Sequence, residues 1–160
     1  MATIGRLPRG VTGFNKPDGL DAVPAKLFKA ACHAVAQHVR GRLVAFSGCD
    51  GVPGRNYHRA VLRTRDAEVA VLCNYLHPLL AFAAPGGDGL GSLAFLPPGR
   101  IGGAFAELTG FVPLDPLFLD APPVPEMLLE LGPAEREQLR YWEHSAAAAR
   151  VGDVVFNCWD

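Results

Sequence analysis

Two cysteines and two histidines in the middle of the chain are of the residue types that bind zinc. Cys49, His58, Cys73 and His77 supply sulfur and imidazole, the usual zinc ligands. Zinc modules contain closely spaced pairs of cysteines, and this spacing lacks such Cys pairs. Cys73 also falls in an alternating apolar segment typical of a buried strand. The pattern favours core and loop residues, and no metal ligand is predicted.

The same region suggests a thiol nucleophile, because Cys49 lies in a glycine-rich loop and His58 is a candidate base after folding. No helix start and no family signature follows Cys49 to activate the thiol. The glycine-rich stretches match neither the phosphate-binding loop nor the dinucleotide-binding pattern, so no cofactor and no catalytic residue is predicted. A small thiol- or metal-dependent enzyme centred on Cys49 and His58 is the alternative from the enzyme class.

Arginines in and after this loop are candidates for contacts with phosphates. Arg55, Arg59, Arg63 and Arg65 would supply the cations, and Tyr57 would supply a ring for stacking. Aromatic residues are sparse nearby, and the whole chain has a net charge of −1. A solvated sheet face is therefore favoured, and a phosphate or nucleic-acid binder is a third hypothesis.

An acidic segment with apolar residues between its carboxylates is the strongest candidate for binding. It covers residues 111–137, and no pair of its carboxylates is singled out for acid–base chemistry. An acidic surface with apolar anchors suits docking onto a basic protein partner. The predicted partner-binding residues are Asp115, Phe118, Asp120, Glu126, Glu130, Glu135 and Glu137.

Charge is distributed unevenly along the chain. Residues 1–65 hold eleven Lys and Arg against three Asp, a net charge of +8. Residues 107–143 hold eight acids against two Arg, a net charge of −6. Such asymmetry marks either a partner surface or two regions that face and neutralise each other.

Composition indicates one globular domain over residues 1–160. Hydrophobic residues make up 49% and charged residues 19% of the chain, which argues against disorder. The beginning lacks the apolar core of a signal peptide, and the longest apolar stretch, near residues 79–84, is too short to span a membrane. We therefore expect a cytoplasmic protein with free thiols and without membrane association.

The periodicity predicts an α+β domain. Residues up to about Arg40 show a helical pattern, whose predicted apolar face is Leu27, Ala31, Ala34, Val35 and Val39. Strands are predicted at 42–47, 58–64, 68–74, 78–84 and 92–96, which together form an antiparallel meander with its clearest hairpin at 58–74. Val61 is expected to point outward from this hairpin.

The second half of the chain is predicted to pack a helix on this sheet. Pro113 and Pro116 make residues 110–119 an edge strand or a packed loop. A short helix is expected at 125–131, and a longer one begins at Gly132-Pro133 and ends near Ala149. Residues 150–160 alternate with both faces apolar, which predicts a last, inner strand containing Phe156 and Trp159.

The last thirty residues join the acidic helix with Tyr141-Trp142 to the closing sequence RVGDVVFNCWD at 150–160. This combination resembles small bacterial immunity proteins of polymorphic toxin systems. Immunity proteins bind a cognate toxin stoichiometrically and without catalysis. The resemblance implies a non-enzymatic protein-binding domain that neutralises a basic toxin, with nucleic acid not expected as a partner.

Overall fold

A five-stranded sheet with helices on both faces organises the chain. The computed structural model describes residues 3–14, 16–51, 53–86, 93–145 and 150–158. The helices are α1 (Ala25–His38), α2 (Gly99–Leu108), α3 (Pro116–Asp120), α4 (Pro133–Ser145) and α5 (Val151–Val155). The strands are β1 (Arg42–Ser47), β2 (Tyr57–Arg63), β3 (Glu68–Asn74), β4 (Leu79–Ala83) and β5 (Val112–Pro113).

The sheet has the order β1-β2-β3-β4-β5, and its first four strands form the predicted antiparallel meander. The β2–β3 hairpin pairs His58 with Cys73 and closes through a turn in which Thr64 N donates to Ala67 O (2.8 Å). The two-residue strand β5 lies parallel to β4 at the sheet edge, where Pro113 is tolerated. The α+β fold class is confirmed.

Helices α1 and α2 cover one face of the sheet with an almost entirely apolar interface. Phe28, Cys32 and Val35 of α1 and Phe105 of α2 are fully buried there. The predicted apolar face of α1 is wrong in detail, because Leu27 and Ala34 are exposed. Phe28, one residue after Leu27, and Cys32, two residues before Ala34, are buried in their place.

Short elements and the N-terminal segment cover the other face. Leu7 and Val11 pack there with Phe118, Leu139 and other residues of α3, α4 and α5. The helix predicted to begin at Gly132-Pro133 is confirmed as α4, whereas Ala149, its predicted end, lies outside the described residues. Because both faces are covered, Val61 is buried, which corrects its predicted outward position.

Buried asparagines attach the N-terminal segment and α5 to the sheet. The Asn74 side-chain amide donates to Val11 O (2.8 Å) and Val155 O (2.7 Å). The Asn56 amide donates to the same two carbonyls (both 3.1 Å), and its Oδ1 accepts from the Asn157 backbone N–H (2.7 Å). These bonds satisfy backbone groups that no regular ladder reaches.

The predicted terminal strand is wrong, because residues 151–155 form the short helix α5. Val151, Val154 and Val155 are all fully buried, and their spacing suits one face of a helix as well as a strand. Asp153 favours the helix, because its carboxylate accepts a hydrogen bond from the Arg150 backbone N–H (3.0 Å) and caps the first turn. Trp159 and Asp160 lie outside the described residues.

The remaining predictions are confirmed in part. Residues 110–119 hold the edge strand β5 and most of the short helix α3, and the short helix predicted at 125–131 is a 3-10 helix over Pro125–Leu128. Within the predicted strand at 92–96, Phe95 makes an isolated bridge to Ala83, and Ser92 is outside the described residues. No helix in the described part of the chain is long and apolar enough to cross a membrane.

Candidate functional site

The predicted acidic surface is built on α3, the 3-10 helix after it and the first turns of α4. Asp115 caps α3, since its Oδ1 accepts from Leu117 N (2.9 Å). The cap fixes the direction in which α3 presents its side chains. As a result Phe118 and Leu119 are buried, whereas Leu117 is 80% exposed.

Large apolar side chains are exposed between the carboxylates of this segment. Besides Leu117, Leu129 is 54% and Val124 is 41% exposed. Asp120, Glu126 and Glu130 are exposed on the same stretch. We call the exposed residues of this stretch the acidic–apolar surface: Leu117, Asp120, Val124, Glu126, Leu129 and Glu130.

Two of the predicted partner-binding residues lie in the interior instead. Phe118 is 8% exposed and belongs to the apolar cluster that also contains Leu119 and Leu139. Its ring therefore stabilises the fold and is not available to a partner. Phe118 follows Leu117 directly, and the capped turn of α3 sends adjacent side chains in different directions.

Glu135 is the second buried residue, with only 2% of its surface exposed. Its carboxylate accepts from Gly10 N (2.8 Å), Thr12 N (3.2 Å) and Gly132 N (3.1 Å), and from the Thr12 hydroxyl. The carboxylate thus caps α4 and holds the N-terminal segment against it. Its role is structural, in contrast to Glu137, which is exposed two residues later.

Two of the exposed carboxylates are already paired. Glu130 bonds to Arg6 (2.8 Å), and Asp120 bonds to Arg150 (3.0 Å). The hydrogen bonds that the Arg150 guanidinium donates to Asp153, together with the neighbouring Asp120, raise the pKa of Arg150 further above its usual range. Glu126 and Glu137 make no ion pair with any described residue, and they carry the free negative charge of the region.

The geometry of Cys49 and His58 does not support a thiol nucleophile. His58 is buried, its Nδ1 accepts from the Cys49 backbone N–H (3.1 Å), and its Nε2 lies 2.8 Å from Val23 O. Both ring nitrogens are therefore engaged with backbone groups, and neither is available to take a proton from the Cys49 thiol. Burial, reinforced by Asp50, raises the pKa of the Cys49 thiol to about 11, so the unreactive protonated form prevails at neutral pH.

Cys73 and His77 are likewise occupied. The Cys73 thiol is buried in β3, which raises its pKa well above the usual value, and His77 Nε2 lies 2.8 Å from Arg9 O. Among the described residues, no group of three or more His, Cys, Asp or Glu side chains is arranged to hold a metal ion.

The arginines of the third hypothesis are engaged within the protein. Arg55 donates to Ser47 O (2.8 Å) and Tyr57 O (2.9 Å), and its guanidinium stacks on the Tyr57 ring. Arg59 donates to Pro85 O, and Arg63 pairs with Glu68 (2.6 Å). Only Arg65, in the hairpin turn, is free of such contacts among the described residues, so these side chains do not present a row of free cations.

Sequence reasoning identified the acidic residues of the surface but missed Leu129 and Val124 as exposed apolar residues. The acidic residue Glu130 directly after Leu129 is a weak local signal of exposure. In the structure, Leu129 follows the 3-10 helix that ends at Leu128. Its exposure was not deducible from periodicity, because Leu128 beside it is half-buried.

No family model matches this chain, and neither the curated proteins nor the solved structures with which it was compared include a match.

Proposed function

We propose that this protein binds a basic protein partner through the acidic–apolar surface and has no catalytic role. The observation that carries the proposal is the exposure of Leu117, Leu129 and Val124 among carboxylates. Exposed apolar side chains grouped with charges are typical of interaction sites. Scattered single leucines would need no explanation, but here three lie within one stretch of 14 residues, 117–130.

The two kinds of side chain have different tasks in such a contact. The leucines would be desolvated on binding and would hold the complex, which places their effect on the dissociation rate. Glu126 and Glu137 would attract a positive partner over distance and accelerate the encounter. Glu130 and Asp120 would contribute less, because Arg6 and Arg150 already compensate their charge.

The partner class follows from charge and from the resemblance to immunity proteins at the end of the chain. A basic toxin neutralised by one copy of this protein fits both. The opposing hypothesis of a Cys49 enzyme receives no support from the site, because His58 is committed to backbone hydrogen bonds.

A capture experiment with matched leucine variants tests the proposal. The full chain, the double variant Leu117→Ser/Leu129→Ser and the control Leu27→Ser/Leu108→Ser would each be used as bait in extract from the native host. The control leucines are also exposed, at 56% and 46%, but lie on α1 and α2. We expect one basic protein at equal stoichiometry with wild type and control, and its loss with the Leu117/Leu129 variant.

Retention of that protein by the Leu117/Leu129 variant, or its loss with the control alone, would move the contact off the acidic–apolar surface. For the captured partner, Glu126→Gln/Glu137→Gln should slow association about tenfold at low salt and leave dissociation nearly unchanged. The toxin assignment is tested by co-expression: the wild-type chain should restore growth to cells producing the partner, and the Leu117/Leu129 variant should not.

A further inference from the structure

A groove of about 710 Å³ opens where the end of α1, the β2–β3 turn and the entry to α2 meet. Its apolar lining includes Val39, Val69, Leu96, Pro98 and Ile101. The volume falls within the range of about 300–1,000 Å³ that is usual for small-molecule sites. The groove belongs to the α1/α2 side of the sheet, and the proposed partner contact uses none of its residues.

The walls of the groove are fixed by turns that need particular backbone conformations. Arg40 adopts a left-handed φ of 57° just after α1, and Gly41 N returns to Ala36 O (2.7 Å). On the opposite wall, Pro97 and Pro98 lead into α2 and restrict the chain there. The groove is therefore formed before any ligand arrives, which lowers the ordering cost of binding.

Positive charge surrounds this apolar lining. Arg40, Arg65 and Arg100 line the groove and are exposed, and their guanidinium groups make no hydrogen bond or ion pair with any described residue. Two acids also line the groove, and one of them, Glu68, forms an ion pair with Arg63 (2.6 Å). Asp66 alone opposes three guanidinium groups, so the groove favours an anion.

We propose that this groove binds an organic anion with an apolar body, of the class of medium- to long-chain carboxylates. The apolar body would cover Leu96, Val69 and Ile101, and burial of each methylene contributes about 0.8 kcal/mol. A carboxylate would be held by Arg65 and Arg100, whose planar guanidinium forks match its geometry. A simple inorganic anion would leave the apolar lining in water.

Calorimetric titration of the full chain with decanoate tests this site. We expect one decanoate to bind per chain, with 1-decanol bound about tenfold more weakly and butyrate showing no measurable binding. Arg65→Gln/Arg100→Gln should weaken decanoate about tenfold and remove its preference over decanol. Leu96→Ser, which shortens the apolar lining without touching a charge, should weaken decanoate and decanol alike.

The matched control is Arg136→Gln, an exposed arginine on α4 outside the groove, which should bind decanoate as the wild type does. Absence of saturable decanoate binding would overturn the proposal. So would equal affinity for decanol, or an affinity that Arg65→Gln/Arg100→Gln leaves unchanged. The partner proposal stands or falls separately, because its leucine variants leave every groove residue intact.

Discussion

The two faces of the sheet are covered by different physical means. On one face, the regular helices α1 and α2 pack Phe28, Val35 and Phe105 against the strands with little polar help. On the other face, the longer helix α4 packs beside the five-residue helices α3 and α5 and the irregular N-terminal segment. Buried polar groups, above all Glu135, Asn56 and Asn74, hold these pieces together with the half-buried Asn157.

The two faces of the sheet therefore differ in how well they tolerate small structural shifts. An apolar interface tolerates small shifts, because each contact is weak and non-directional. A buried hydrogen-bonded junction does not tolerate such shifts, because each lost hydrogen bond leaves a buried polar group without a partner. The face held by polar groups also carries the acidic–apolar surface, so its exposed side chains are presented by a directionally fixed scaffold.

The largest effect is expected from Phe28→Ala on the helical face. Phe28 is fully buried and lies 5.7 Å from the Phe111 ring and 5.9 Å from the Phe46 ring, measured between centroids. Its truncation should lower the free energy of unfolding by about 3–5 kcal/mol, as measured by urea denaturation. The neighbouring Leu27→Ala, at an exposed position, should cost less than about 0.5 kcal/mol. Equal losses in the two variants would contradict the observed orientation of α1.

Glu135→Gln probes the polar junction of the other face and should cost about 1–3 kcal/mol. The amide keeps one acceptor oxygen but turns a donor toward the Thr12 N–H, which then loses its partner. Glu137→Gln on the exposed side of α4 is the matched control and should be neutral in the same denaturation experiment. A neutral Glu135→Gln would show that the N-terminal segment contributes little to the fold.

The parts of the fold that the sequence predicted are those with a long regular period. The β2–β3 hairpin alternates over fourteen strand residues, and α1 repeats over four turns, so local pattern was sufficient. The helix α5 has five residues, and the spacing of Val151, Val154 and Val155 fits both a helix and a strand. The Asp153 carboxylate caps the first turn of α5 and favours the helix.

The candidate site was less predictable, because it depends on contacts between distant residues. Glu135 and Gly10 are separated by 125 positions, and nothing near Glu135 distinguishes it from the exposed acids. Leu117 and Phe118 are adjacent apolar residues that tertiary packing divides between surface and core. The groove arginines at 40 and 65 come from two separate turns, Arg100 comes from the first turn of α2, and the three form no sequence motif.

A pair of glycine substitutions compares a buried helix position on one side of the sheet with an exposed helix position on the other. A Cβ at Gly152 of α5 would lie 2.1 Å from Phe95 Cε2 and 3.1 Å from Leu119 O. Gly152→Ala should therefore destabilise by about 1–3 kcal/mol through overpacking. A Cβ at Gly103 of α2 meets no heavy atom within 4 Å, so Gly103→Ala should stabilise by up to about 1 kcal/mol. Thermal unfolding of both variants checks the signs, and destabilisation by Gly103→Ala would refute an open helix surface there.

The smallest effect concerns thiol reactivity, which should differ between the two faces without any change in stability. Cys32 lies on the buried side of α1, where burial raises its pKa to about 12, whereas Cys158 is exposed next to Tyr57. The thiolate is the nucleophile that attacks a thiol reagent, so at about pH 8 the native chain should show one fast-reacting cysteine. The other three should react only as fast as the chain unfolds, since Cys49 and Cys73 are buried too.

Cys158→Ser should abolish the fast phase, and its free energy of unfolding should stay within about 0.5 kcal/mol of the wild type because the position is exposed. Peptide mapping after brief labelling identifies the modified residue. Rapid labelling of Cys32 or Cys73 would mean that the α1/α2 face opens readily, and the tight apolar packing inferred for it would then be wrong. Rapid labelling of Cys49 alone would show that its loop exposes an accessible thiolate. That result would contradict the raised pKa that burial gives the Cys49 thiol.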